Sequence, residues 1–152
     1  MESKRSSTPT GHDFSKKNKV SVWVSQHPYA DLPDAYFEET FSKKNTRATN
    51  NWSDNYNLTF FVVENMETNG AEVGTIKVNE AAGQCSYSTS YIETLMSKAK
   101  KLKIDDITWI ILLFDCEFSP KISGVEKDQY TTFLGAFNYD DEADNLYELS
   151  HS

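Results

Sequence analysis

Between Ile107 and Phe118 the chain reads Ile-Thr-Trp-Ile-Ile-Leu-Leu-Phe-Asp-Cys-Glu-Phe, and no other stretch limits the possible folds so tightly. The odd positions Ile107, Trp109, Ile111 and Leu113 are apolar, and so are the even positions Ile110, Leu112 and Phe114. Side chains alternate between the two faces of a strand, so a strand apolar in both series has to be covered on both faces. The pattern predicts a central strand with material packed on either side. From Asp115 onward one series turns acidic, with Glu117, while Cys116 and Phe118 are expected to continue the even, apolar series. One face of the strand end should therefore reach solvent. The run is about a dozen residues long, against the roughly twenty that a membrane-spanning helix needs.

The remaining elements follow from periodicity and capping chemistry. Lys19 to Ser25 alternates Val20, Val22 and Val24 with Ser21, Trp23 and Ser25, a strand signal. Asp31 to Phe41 has an acidic N-cap, Pro33 in its first turn, and Leu32, Tyr36, Phe37 and Phe41 on one face, which predicts a helix with an acidic outer ridge. Lys43 to Asn57 is rich in Asn and predicts a surface loop pinned by Trp52 and Tyr56, either a solvated connection or a binding loop at Asn50, Asn51 and Asn55. Leu58 to Val63 is a second doubly apolar strand, and Glu64 to Gln84 is compatible with an edge strand or a helix. Ser88 to Lys103 predicts a helix opened by a Ser90/Glu93 capping box and closed by Lys98, Lys100, Lys101 and Lys103 at the negative end of its dipole. Ser119 to Gln129 should be a loop, and Thr131 to Tyr139 a strand with a bulge or close approach at Gly135. The order predicts a single α+β domain over residues 19–142, a sheet of four or five strands with two main helices packed on it. Residues 1–18 are expected to be disordered and 143–152 to form an acidic tail.

Charge bears on the partners, although solubility alone would also account for an acidic surface. Five basic and two acidic side chains fall in the first nineteen positions; 15 basic less five leaves 10, 23 acidic less two leaves 21, a formal charge of −11 on the remainder. Such a surface repels nucleic acid and anionic membranes, and attracts a cationic partner at a rate that falls with salt. Cys85 and Cys116 are expected to be reduced thiols.

The residues that usually carry catalysis are not assembled. His12, His27 and His151 fall in the head, in a turn and at the last two positions, and there is no glycine-rich phosphate loop or spaced pair of cysteine doublets. The one enzyme reading is a metal-dependent nuclease using Asp115 and Glu117 at a strand end, with Lys121 beyond them. A non-catalytic regulatory module with a basic partner is a further alternative. No cofactor or metal is expected.

Three stretches together, VSVWV with DAYFEETF, SYSTSYIETL leading into ITWIILLFDCEF, and TTFLGAFNYDDE, resemble the immunity protein 22 family of bacterial polymorphic toxin systems. The likeness runs from about Lys19 to Glu142. It departs from the family pattern at Phe60-Phe61-Val62-Val63-Glu64-Asn65, where an acidic, aromatic stretch is the expectation. The resemblance implies a small cytoplasmic protein, a monomer or weak dimer, that binds and blocks a cognate toxin domain. A basic nuclease toxin suits the charge, because a cleft that holds nucleic acid must be cationic. The expected toxin contacts are the ridge Asp31, Asp34, Glu38 and Glu39, the strand end Asp115 and Glu117, and the tail Asp140, Asp141, Glu142 and Asp144. Trp52, Tyr56, Tyr139 and Tyr29 are the candidate aromatic anchors.

Overall fold

The doubly apolar run becomes an interior strand of an antiparallel sheet, as its pattern requires. The computed structural model describes residues 14–28, 31, 32, 36, 40, 41, 47–58, 61–71 and 73–145. In chain order the elements are β1 (Ser15–Ser25), β2 (Thr40–Phe41), β3 (Arg47–Thr49), α1 (Asn51–Asn55), β4 (Phe61–Val62), β5 (Met66–Gly70), β6 (Ile76–Lys77), α2 (Val78–Gly83), α3 (Ile92–Lys101), β7 (Asp106–Ile107), β8 (Trp109–Cys116), α4 (Pro120–Ser123) and β9 (Thr131–Asn138). Four strands form the main sheet in the order β5-β8-β1-β9, with every neighbouring pair antiparallel. Among the described residues there are also a small β2-β3-β4 sheet and a β6-β7 pair. The α+β architecture is the one expected, with a four-stranded main sheet.

The sheet divides two cores of different character. On one face Val20, Val22, Val24, Ile110 and Leu112 meet Val78, Ala81 and Ala82 of α2 and Leu95 and Ala99 of α3. This side is mostly aliphatic, as small residues on two helices allow close approach to the strands. On the other face Trp23, Ile111, Leu113 and Phe133 meet Phe14, Tyr36, Trp52, Tyr56, Phe61 and Phe118. Trp23 is the hub of that side, with ring centroids of Trp52 at 4.9 Å, Phe118 and Phe133 at 5.3 Å and Tyr56 at 5.7 Å. The cysteines are buried, Cys85 in the first core and Cys116 in the second.

Where the sheet departs from expectation, backbone geometry gives the reason. β1 begins at Ser15, four residues before Lys19, and Phe14 is buried, so part of the segment set outside the fold belongs to it. Residues 1–13 lie outside the described residues. Asn18 and Asp115 both take left-handed conformations, at φ 66° and 57°, and the β1–β8 register slips between Ser15 and Val20. Asp115 Oδ1 accepts from the Asn18 N–H at 3.0 Å and from the Tyr139 hydroxyl at 2.7 Å, which holds the irregular pairing. The slip also inverts the side-chain phase. Cys116 and Phe118 join Leu113 on the aromatic side, against the expectation that they would continue the even series with Phe114. On β9 the register slips at Val22/Trp23, opposite Gly135, and a Cβ there would stand 2.7 Å from the Phe137 ring. The bulge reading of Gly135 holds, and the close approach comes from Phe137 of the same strand, not from a neighbouring element.

Several local expectations need correction. Asp31 and Tyr36 lie in short 3₁₀ turns and Thr40–Phe41 pairs with β3, so no α-helix reaches Phe41. The Asn-rich stretch is not a plain surface loop: it contains β3 and α1. Asn50 caps α1 in a reciprocal pair with Ser53, accepting from the Ser53 N–H at 2.8 Å while its own N–H donates to Ser53 Oγ at 2.9 Å. That turn points Trp52 and Tyr56 inward. The second apolar strand is short, Phe61–Val62, and passes into a 3₁₀ turn at Val63–Asn65. The undecided segment holds both alternatives in succession, strands β5 and β6 and then helix α2. Ser90 does not cap α3; its hydroxyl donates to Tyr87 O at 2.7 Å and accepts from the Asp140 N–H at 3.0 Å. The predicted loop after Phe118 includes α4, with Ser119 as N-cap, Pro120 in the first turn and Gly124 at φ 83° just past the end.

Asp128 fastens the aromatic side to β9. Its carboxylate accepts from the Tyr36 hydroxyl, from Asn55 Nδ2 at 3.0 Å, and from the backbone N–H groups of Tyr130 at 2.9 Å and Thr131 at 2.8 Å. Tyr56 completes the group, its hydroxyl donating to Thr131 O at 2.8 Å. Removing the acceptor leaves several donors without a partner, and Asp128→Ala is expected to cost about 3 kcal/mol of stability, read from the urea midpoint. Asp128→Asn, which keeps one carbonyl oxygen, is expected to cost about half as much. Equal midpoints for wild type and Asp128→Ala would show that the network contributes nothing.

Candidate functional site

The same end of the main sheet collects the N-terminus of β5, the C-terminus of β8, the start of β1 and the residues following β9, because neighbouring strands run antiparallel. The turn between α2 and α3 adds Ser86 and Tyr87. Between them lies a cleft of about 320 Å³ bordered by four carboxylates, Glu64, Glu67, Asp115 and Asp141, and by the rings of Tyr87, Phe114 and Tyr139. No Lys, Arg or His among the described residues lines it.

The walls of the cleft are fixed by specific bonds. Glu67 accepts from the Ser86 N–H at 2.8 Å and from the Ser86 hydroxyl at 3.0 Å, and Asp115 accepts from Asn18 and Tyr139. Tyr87 and Tyr139 stack with ring centroids 5.6 Å apart and 17° between planes, and Phe114 meets Tyr139 edge-on at 5.0 Å. Burial raises the Tyr139 pKa above the ordinary phenol range, and the bond to Asp115 raises it further, so the hydroxyl stays protonated and keeps donating. Glu64 and Asp141 are exposed at the rim. A second cleft, about 330 Å³, opens on the other side of Asp115, and there Lys16 and Lys17 offset the acid.

The acids after β9 have a structural role as well. Asp140 Oδ1 accepts from the Glu142 N–H at 2.9 Å, and Asp144 O accepts from the Thr89 N–H at 3.1 Å and the Thr89 hydroxyl at 2.7 Å. This turn is thus fastened just ahead of α3, where negative charge complements the positive end of the helix dipole. Residues 146–152 lie outside the described residues.

A model of the family described as immunity protein 22 matches residues 20–140, from the middle of β1 to the turn after β9. The chain belongs to the immunity protein 22 family. The matched span contains the whole main sheet apart from the first residues of β1, and all of the cleft except Asp141. Neither a curated protein nor a solved structure matches the chain. Among the described residues no helix is long and apolar enough to cross a membrane.

Against this immunity-family frame the predicted contact residues sort into four groups. Asp115, Tyr139 and Asp141 come together in the cleft, and Asp140, Glu142 and Asp144 stand exposed beside it. Glu117 is also exposed but does not line the cleft, and its carboxylate lies 3.3 Å from the Lys19 ammonium. Asp31 is exposed, while Tyr29, Asp34, Glu38 and Glu39 lie outside the described residues. Trp52 and Tyr56 are corrected: both are 0% exposed, on the face of the sheet opposite α2 and α3, and cannot meet a partner in the folded state. Glu64, Glu67 and Tyr87 were missed, because the first two fall in a stretch whose secondary structure was ambiguous and Tyr87 precedes the helix signal. Of the carboxylate pair in the nuclease reading, Asp115 accepts from Asn18 and Tyr139, and Glu117 pairs with Lys19. Among the described residues no group of three or more His, Cys, Asp or Glu is placed to hold a metal.

Proposed function

We propose that this chain protects its producer by binding a cognate toxin domain and occluding it, with the acidic cleft at the centre of the contact. The observation that carries the reading is a cleft bordered by four carboxylates, with no Lys, Arg or His among the described residues of its lining, in a chain of formal charge −8. Such carboxylates supply the field that steers a basic partner. A basic nuclease is the toxin class this surface suits, since its substrate-binding cleft carries the opposite charge. Glu117, Asp140, Glu142 and Asp144 extend the negative field at the same end of the sheet, and Asp31, Asp34, Glu38 and Glu39 add to the net charge that steers a basic partner from a distance. Steering matters because free toxin does damage immediately, and a complementary field lifts association from about 10⁵–10⁶ M⁻¹s⁻¹ toward 10⁸ M⁻¹s⁻¹ or more at low salt.

The test uses the purified chain and the toxin domain encoded beside it. Reversing both rim charges, Glu64→Lys with Asp141→Lys, is expected to weaken binding about a hundredfold and to flatten its salt dependence. Reversing Asp34 and Glu38 is expected to slow association by a few fold and leave dissociation unchanged. If the rim variant binds as wild type does and still rescues toxin-expressing cells, the cleft is not the contact. Cleavage of DNA or RNA by the purified chain, lost on Asp115→Asn, would instead favour the nuclease reading.

A further inference from the structure

We infer that the outer edge of β5 is where the partner pairs an extended segment of its own backbone, adding a strand to the main sheet. This rests on the toxin-binding reading and says in what form the toxin meets the chain. Residues of an antiparallel pair alternate between bonding to the strand opposite and turning both backbone groups away from it. The Ala71 N–H donates to Thr108 O at 3.0 Å, which fixes the phase. Glu67 and Asn69, opposite Leu112 and Ile110, therefore bond to β8, while Thr68 and Gly70, opposite Ile111 and Trp109, turn their N–H and C=O groups outward. Both outward residues are exposed, and among the described residues no hydrogen bond reaches them on that side.

Sheet edges are ordinarily blocked, and the two edges of this sheet differ. Along the start of β9 the segment before it takes the outward groups: the Phe133 N–H donates to Glu126 O at 2.8 Å, the Asp128 N–H donates to Thr131 O at 2.9 Å, and Lys127 pairs with Thr132. β5 keeps an unbroken register with β8 and carries neither proline nor lysine. Its one charged side chain, Glu67, is held by Ser86 on the helix side and does not stand across the edge. The same charge selects the occupant. A second copy would bring another formal charge of −8 and another Glu67 to the pairing, which repels, whereas a basic segment is attracted. The edge also begins at the acidic cleft, which Glu67 borders, so one bound segment would reach both. Side chains of an added strand would lie alternately beside Glu67 on the helix side and beside Met66, half-buried against the aromatic core, on the other. The toxin segment should thus alternate cationic with apolar residues, its backbone bonds giving affinity and the alternation specificity.

The experiment follows amide hydrogen exchange by NMR in the full chain, alone and bound to the toxin domain encoded beside it. In the free chain Glu67 and Asn69 are expected to be protected and Thr68 and Gly70 to exchange at least tenfold faster. Binding is expected to slow Thr68 and Gly70 at least tenfold. Thr68→Pro removes an N–H with no partner among the described residues, and is expected to weaken toxin binding at least tenfold with a melting temperature close to wild type. Thr68→Ala, which keeps the N–H, is expected to bind as wild type does. A complex that forms while Thr68 and Gly70 exchange as in the free chain overturns the inference and leaves the toxin-binding reading standing, a readout that needs no variant to fold. Protection that appears without toxin as concentration rises, together with a doubled mass, makes the occupant a second copy and also overturns it. If no complex forms, the toxin-binding reading falls and takes the inference with it.

Discussion

Raising the pH past 10 is expected to unfold this protein cooperatively, with loss of structure and ionisation of tyrosine occurring together. Tyr36, Tyr56 and Tyr91 are 2%, 0% and 1% exposed, and burial, the largest cause in each case, raises their pKa values above the usual 10. The bond to Asp128 raises Tyr36 further, and the charges of Cys85 and Glu67 do the same for Tyr91. Cys85 follows the same rule, its thiol pushed up to about 12 by burial first and by Glu67 second. A group whose folded pKa lies above its unfolded value contributes stability that is fully present below the unfolded pKa and is lost as pH rises toward the folded one. The loss therefore begins near pH 9 with Cys85 and steepens above pH 10 with the phenols. Each group removes up to about 1.4 kcal/mol per pH unit, so the three tyrosines together remove about 4. Against a total of about 5–15 kcal/mol for a domain of this size, unfolding should be complete by about pH 11.5–12. Circular dichroism and tyrosinate absorbance recorded across pH 8–12 should change together. Full tyrosinate formation with native dichroism at pH 11.5 would show that the phenols are open to solvent.

Truncating Trp23 is expected to be the most damaging single substitution. Its ring is 0% exposed and touches four other aromatic rings, from α1, β9 and the strand end at Phe118, so no neighbour can move to fill the space without leaving its own contacts. Trp23→Ala should cost about 4–5 kcal/mol, the upper part of the range for a large buried aromatic. Trp52→Ala should cost nearly as much, about 3–4 kcal/mol, since Trp52 packs at 4.9 Å on Trp23 and at 5.6 Å on Phe61. Val73→Ala, at a position 91% exposed, should change the urea midpoint by no more than about 0.5 kcal/mol equivalent. The Trp52 result also separates a core residue from a binding residue. A Trp52→Ala variant with a wild-type midpoint and weakened toxin binding would return that side chain to the surface.

How far the sequence could be read depended on whether one physical signal dominated. β1 and β8 were legible because a strand between two cores has no freedom in its pattern: the valines of β1 and both series of β8 had to be buried. Trp52 and Tyr56 were misplaced for the opposite reason. Five asparagines between Lys43 and Asn57 outweigh two aromatics in any composition argument, yet a five-residue helix closed by Asn50 and Ser53 turns both rings inward. Asn50 and Asn55 serve structure as well, one capping that helix and the other bonding Asp128. The phase inversion at Asp115 was invisible because alternation rules assume an unbroken register, and a left-handed residue inside a strand leaves no mark in hydropathy. Of the cleft, Asp115, Tyr139 and Asp141 were named as surface acids and an anchor. Glu64 and Glu67 were not, since Glu64 falls in a 3₁₀ turn and Glu67 on β5, an edge strand with little apolar alternation to place it.

The cleft is assembled from short segments that are far apart along the chain: residues 64–67, 86–87, 114–115 and 139–141. The rim side chains among them belong to neither packed interior, so exchanging them leaves the scaffold's folding energy almost untouched. On the toxin-binding proposal, a lineage that meets an altered poison can retune its antidote residue by residue, at Glu64 or Asp141 first, without re-inventing the molecule that carries them.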